Sequence, residues 1–166
     1  MWRSLILITI LLIPLAATAQ PTTPAPEAAS AVSKVDLDLV VGYAKRLGIT
    51  GQRDSEGFAG RVIFDGKPYD LLISVDPARF VCYLAVLNLK QVKASDPKRD
   101  AVLARAMELN FRLAIGKLEW DRDQGQIRLS HTFSTERGLE YETFRGVLLT
   151  LLSAAEPIRT ELDKSE

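Results

Sequence analysis

The stretch "GRVIFDGKPYDLLISVD", residues 60–76, constrains the fold more than any other part of the chain. Apolar and polar side chains alternate on both sides of Asp65-Gly66. An Asp-Gly pair between two such runs is the chemistry of a tight β-hairpin, whose turn needs positive φ at both central residues. Pro68 falls at the start of the second strand, where a missing amide donor costs least. The next run, "RFVCYLAVL" (79–87), reads as a third strand of a different kind. Phe80, Cys82, Leu84 and Val86 take one side, and Val81, Tyr83, Ala85 and Leu87 the other, so both sides are apolar. Such a strand either has its second face covered or uses that face to bind something. With the strands paired in register, Ile63, Leu72, Val81 and Tyr83 share the face away from the main core, interrupted by Arg61 and Asp70. These four are the candidate partner-binding residues; a covering helix is the competing reading.

Helical spacing supplies the rest. Leu37, Val40, Ala44 and Leu47 fall on one face, Lys45 and Arg46 close the last turn, and Gly48 stops it. Ser33 with Asp36 resembles a capping box with Asp in the usual Glu place. The segment "GITGQRDSEGFAG" (48–60) lacks the Lys-Ser/Thr ending of a phosphate loop and reads as a loop before the first strand. Asp96 or Ser95 is the expected cap of a second helix, with Pro97 in its first turn and Leu103, Ala106, Met107, Asn110 and Phe111 at helical spacing. Residues 117–121 and 126–133 alternate as two strands. Phe144, Leu148, Leu151, Leu152 and Ala155 mark a last helix, which Pro157 is expected to kink or end. The order α-β-β-β-α-β-β-α predicts a single α+β domain, an antiparallel sheet with helices packed on it.

The chain starts "MWRSLILITILLIPLAATAQ". Arg3, an apolar run over 5–15 and Ala17-Thr18-Ala19 have the form of a secretory signal cut after Ala19. The run is too short for the roughly 20 residues that span a bilayer. The expected division is therefore a signal peptide at 1–19, a flexible Pro/Ala-rich leader at 20–32 and the folded domain at 33–166, placed in the periplasm or secreted. Removing 19 of 166 residues leaves 147; Arg3 goes with them, so 20 basic residues face 21 acids and the formal charge is −1. A chain so near neutrality lacks the basic field that holds nucleic acid. The single cysteine, Cys82, has no internal disulfide partner and is expected to be a buried thiol.

Catalytic and metal-binding constellations are missing by pattern. In "WDRDQGQIRLSH" (120–131), a calcium loop begun at Asp121 would place Gly125 at position 5, Gln126 at 6 and Thr132 at 12, so two ligands and the turn glycine are wrong. The stretch reads instead as a hairpin loop in which Gly125 supplies positive φ. His131, the only histidine, shares parity with Ile127, Leu129 and Phe133 and is expected as a hydrogen-bonded residue at the core rim. Zinc needs about three protein ligands, more than one His and one buried Cys supply. Among the acids, Glu140 and Glu142 suit a helix start, while Asp70 and Asp76 suit a strand face. No catalytic residue, metal or cofactor is expected; a hydrolase would need acids such as Asp121 and Glu140 to converge on one cleft.

The patterns "FDGKPYDLLISVD", "RFVCYLAVLNL", "ELNFRLAIGKLEWDRDQGQIRLSHTF" and "GLEYETFRGVLLTLLSAAE" together resemble the YbjN-like family of bacterial proteins, within the type III secretion chaperone-like (Tir chaperone-like) fold. The resemblance covers residues 35–155. It implies a non-enzymatic module, chaperone-like or regulatory, that binds a protein or peptide, a second copy of itself in a homodimer included. Secretion chaperones act in the cytoplasm, whereas this chain carries an export signal. The alternative is a periplasmic carrier of a small apolar ligand, held between the sheet and the last helix.

Overall fold

The computed structural model describes residues 34–54 and 57–164, which belong to one compact unit. The expected signal peptide, the expected leader and Ser33 of the expected capping box lie outside the described residues. The elements are α1 (Leu37–Arg46), β1 (Thr50–Arg53), β2 (Phe58–Phe64), β3 (Lys67–Asp76), β4 (Val81–Gln91), α2 (Arg99–Asn110), β5 (Lys117–Asp121), β6 (Gln126–Ser134) and α3 (Tyr141–Asp163). The six strands form one antiparallel sheet in the order β1-β2-β3-β4-β6-β5. The expected α+β class and element order hold, with one strand added.

Local chemistry places most boundaries. Asp36 caps α1, its Oδ1 accepting from the Leu39 amide at 2.9 Å. Asp65 and Gly66 both take positive φ, 50° and 71°, the geometry that the β2–β3 hairpin needs. Asp121 Oδ1 accepts from the amides of Asp123 and Gln124 and so ties the β5–β6 turn, which Gly125 closes at φ 62°.

Four expectations need correction. The segment read as a loop contains β1, whose four residues are all exposed. Backbone pairing with β2 holds it, so it leaves no apolar alternation to read. Asp96 does not cap α2: the N-cap is Lys98, and Asp96 instead accepts from the Lys98 amide within the preceding turn. The buried face of α2 is Val102, Ala106 and Leu109, leaving Met107 and Phe111 exposed. Finally, α3 does not end at Pro157 but continues to Asp163. The proline and Ser153, whose carbonyl loses its donor, are both exposed, and buried Ile158 and Leu162 anchor the last turns. Ion pairs reinforce them, Lys90–Asp163 at 2.7 Å and Arg105 with Glu161.

Register decides which side of the sheet each residue takes. Leu71 lies opposite Val86, Ile73 opposite Leu84 and Leu129 opposite Val86, all on the helix side. There Phe144, Leu148, Leu151 and Leu152 of α3 complete the core, with Val40 and Ala44 from α1 and the α2 stripe. Both shorter helices touch α3, so the three form one layer. The intervening residues, Ala59, Leu72 and Ala85 among them, pair with one another on the far side.

Candidate site: the uncovered sheet face

Ile63, Leu72, Val81 and Tyr83 all lie on that far side, and no helix among the described residues covers it. Ile63 is 65% exposed; the other three are half-buried by their neighbours. The structure therefore brings the four predicted residues onto one open face.

That face is a trough. A cavity of about 520 Å³ is lined by Thr50, Gln52, Ala59, Arg61, Asp70 and Leu87. A second, of about 370 Å³, shares Ala59 and Leu87 and continues past Leu72 to the β5–β6 hairpin and Arg128. Asp54, next to one edge strand, and Asp121, at the end of the other, line this second cavity together. In a flat sheet, five strand spacings of roughly 4.8 Å would hold those edges ~24 Å apart. The sheet is therefore coiled, and its edges approach each other across the open face.

A β-bulge shapes the floor. Pairing of β4 with β6 shifts between Val86 and Lys90. Asn88 takes φ 55°, and Gln126 Oε1, itself buried, accepts from the Asn88 amide at 2.9 Å. Asn88 then joins Leu87 in the lining. Ala85 is fully buried although it lies on this face, because its short side chain sits between those of Leu72 and Ser130.

Charged groups frame the trough. Tyr83 donates its hydroxyl to Glu119 Oε2 at 2.8 Å, and Arg128 reaches Glu119 at 3.1 Å and Asp121 at 3.3 Å. Lys117 holds the other Glu119 oxygen at 2.7 Å. Burial opposes the Glu119 charge, but the hydrogen bonds from Lys117 and Tyr83 outweigh it and hold the carboxyl down at about 2. Burial and the same carboxylate push Tyr83 up to about 12. The Ser130 hydroxyl is fully buried beside this pair without a partner in strict geometry; its rotation brings it toward either oxygen. Arg61 pairs with Asp70 at 2.7 Å.

The remaining candidates do not converge on one site. His131 lies on the helix side of β6 and stacks on Phe133 at 5.9 Å, in place of the expected hydrogen bond; burial lowers its pKa. Cys82 is fully buried, and burial pushes its thiol up to about 12. Asp76 accepts from the amides of Ala78 and Arg79 in the β3–β4 turn. Glu140 stands at the α3 N-cap and does not line the cavity that Asp121 lines. Among the described residues no group of three or more His, Cys, Asp or Glu is arranged to hold a metal. No helix among them is long and apolar enough to cross a membrane. Leu87 was legible from its parity with Tyr83, but Ala59, Glu119 and Arg128 carried no signal of their own.

This arrangement, helices on one side of a coiled antiparallel sheet, is similar to the type III secretion chaperone-like fold of several solved structures. A chain of the HopA1–SchA chaperone–effector complex is similar at TM-score 0.51 and 22% identity, over 74% of this chain and 91% of that one. The structure of the ExsC–ExsE complex gives 0.54 and 18%, over 76% and 92%. YbjN from E. coli gives 0.58 and 16%, over 80% and 95%. These are likenesses of fold. No curated protein matches the chain. Residues 36–164 match the YbjN family, described as "Putative bacterial sensory transduction regulator", and the chain belongs to that family.

Proposed function

We propose that the chain is an exported, non-enzymatic binding module, chaperone-like or regulatory, that holds a protein or peptide on the open face of its sheet in the periplasm or outside the cell. One observation carries this reading: Ile63, Leu72, Val81 and Tyr83 share a sheet face that no helix among the described residues covers, and Leu72 lines a cavity on it. Apolar surface of that kind, interrupted by paired charges, suits a specific partner. The chaperone–effector complex among the similar folds supports it, since that scaffold carries a protein partner. The export half rests on the signal-like first 19 residues.

A photo-crosslinking residue at Ile63, expressed with the native leader, tests the proposal. Crosslinks to one protein species, recovered with the envelope or medium fraction, support it. Crosslinks that arise equally from the exposed outer side of α1 would refute it.

A homodimer is favoured by a second surface. Met107 on α2 and Phe111 at its C-cap stand 65% and 91% exposed one turn apart, with Ile115 just beyond. Sedimentation of wild type against Phe111→Asp reads this directly, with dimer expected only in the former. The small-ligand carrier has less to support it, because Phe144, Leu148, Leu151 and Leu152 fill the space between sheet and α3.

A further inference from the structure

We infer that the trough on the open face takes a partner segment with basic side chains set beside aliphatic ones. The inference rests on the open face being the binding surface, and it adds the chemistry of what binds there. Within a mostly polar lining, Ala59, Leu72 and Leu87 supply an apolar strip, with Ala85 buried between Leu72 and Ser130. The two alanines let a partner backbone come close, and its aliphatic groups then cover Leu72 and Leu87.

Charge decides the rest. The trough is lined by four carboxylates, Asp54, Asp70, Asp121 and Asp123, but by only two guanidiniums. Both guanidiniums are already engaged, Arg61 with Asp70 and Arg128 with Glu119 and Asp121. An incoming carboxylate would have to take Arg128 from two carboxylates that hold it. An incoming ammonium or guanidinium instead meets Asp123, which has no ion pair among the described residues, while Asp54 lines the same cavity. Desolvation under a docked chain strengthens that preference, whereas salt weakens it.

The probes are three fluorescent twelve-residue peptides with leucine at the same positions and lysine, glutamine or glutamate elsewhere, titrated into the purified protein by anisotropy at low salt. The lysine peptide is expected to bind about tenfold tighter than the glutamine peptide, with the glutamate peptide weakest. Asp123→Lys, an exposed change, should remove that order; Leu72→Asn, which removes the apolar contact without adding charge, should weaken binding of all three. Because Leu72 is half-buried, Ile63→Asn on the same face repeats the test at an exposed site. Equal binding of the three peptides, still weakened in Leu72→Asn and Ile63→Asn, overturns the basic partner and leaves the open face standing. Binding that ignores both of those variants overturns the two together. A lysine peptide that does not bind at millimolar concentration also overturns the inference, and crosslinking from Ile63 then judges the face alone.

Discussion

Asn110 is the residue whose loss should expose most about how this sheet is finished. It is the last residue of α2, and its amide makes two bonds to one residue of the edge strand β5. Its Oδ1 accepts from the Leu118 amide at 2.6 Å and its Nδ2 donates to the Leu118 carbonyl at 3.2 Å. The side chain thus stands where the next strand of a sheet would stand. Asn110→Ala removes both bonds and strands a half-buried donor and acceptor. At about 1 kcal/mol for each, the cost is about 2 kcal/mol. For a domain of roughly 130 residues that lowers Tm by about 7 °C. Thermal and urea melts followed by circular dichroism give the magnitude, and hydrogen exchange at the Leu118 amide gives the location. With that position free, β5 becomes a pairing edge, so the variant should also associate more with rising concentration. Asn110→Asp keeps the acceptor but sets a carboxylate against the Leu118 carbonyl, and should fall at least as far. An alanine variant that melts within about 1 °C of wild type, with Leu118 still protected, would refute the assignment.

Three further outcomes follow from the geometry. Glu119 titrates lower in the folded chain, about 2 against an ordinary 4.5, so its contribution is present above pH 4.5 and lost as pH falls toward 2; Tyr83, raised from 10 to about 12, contributes below pH 10 and loses it as pH rises toward 12. Stability measured across both windows should flatten in Glu119→Gln and Tyr83→Phe respectively, by up to roughly 3 kcal/mol. A Cβ at Gly60 would lie 2.7 Å from Ile49 Cγ2 and 2.8 Å from Phe58 Cε1, so Gly60→Ala should cost about 1–3 kcal/mol of unfolding free energy in a urea melt. Phe144 is fully buried, and Phe144→Ala should lose about 3–5 kcal/mol in the same measurement.

What could be read in advance was whatever a short window records. Asp65-Gly66 and Gly125 announced their turns because positive φ restricts the residue type. The alternation of β3 and β4 put Leu72 and Tyr83 on the same side as Ile63, because a strand's period of two leaves no other choice. What could not be read depends on partners distant in sequence. β1 has no pattern of its own, since Thr50 to Arg53 are exposed and only β2 makes them a strand. Pro157 promised a break that buried Leu162 and the Lys90–Asp163 pair overrule. The trough depends on a bulge fixed from another strand by Gln126, and on coiling that brings Asp54 toward Asp121. Neither leaves a trace in a local window.

The thiol of Cys82 has one further use. It is the only sulfhydryl of the chain, sits at zero exposure in the middle of the sheet, and is held protonated far above neutral pH. A thiol reagent can reach it only when β4 parts from its neighbours and the core opens. The rate of its modification is therefore a built-in clock for global opening. Cysteines placed at Ile63 or on the β5–β6 turn can be labelled in the native protein without first deleting the natural one.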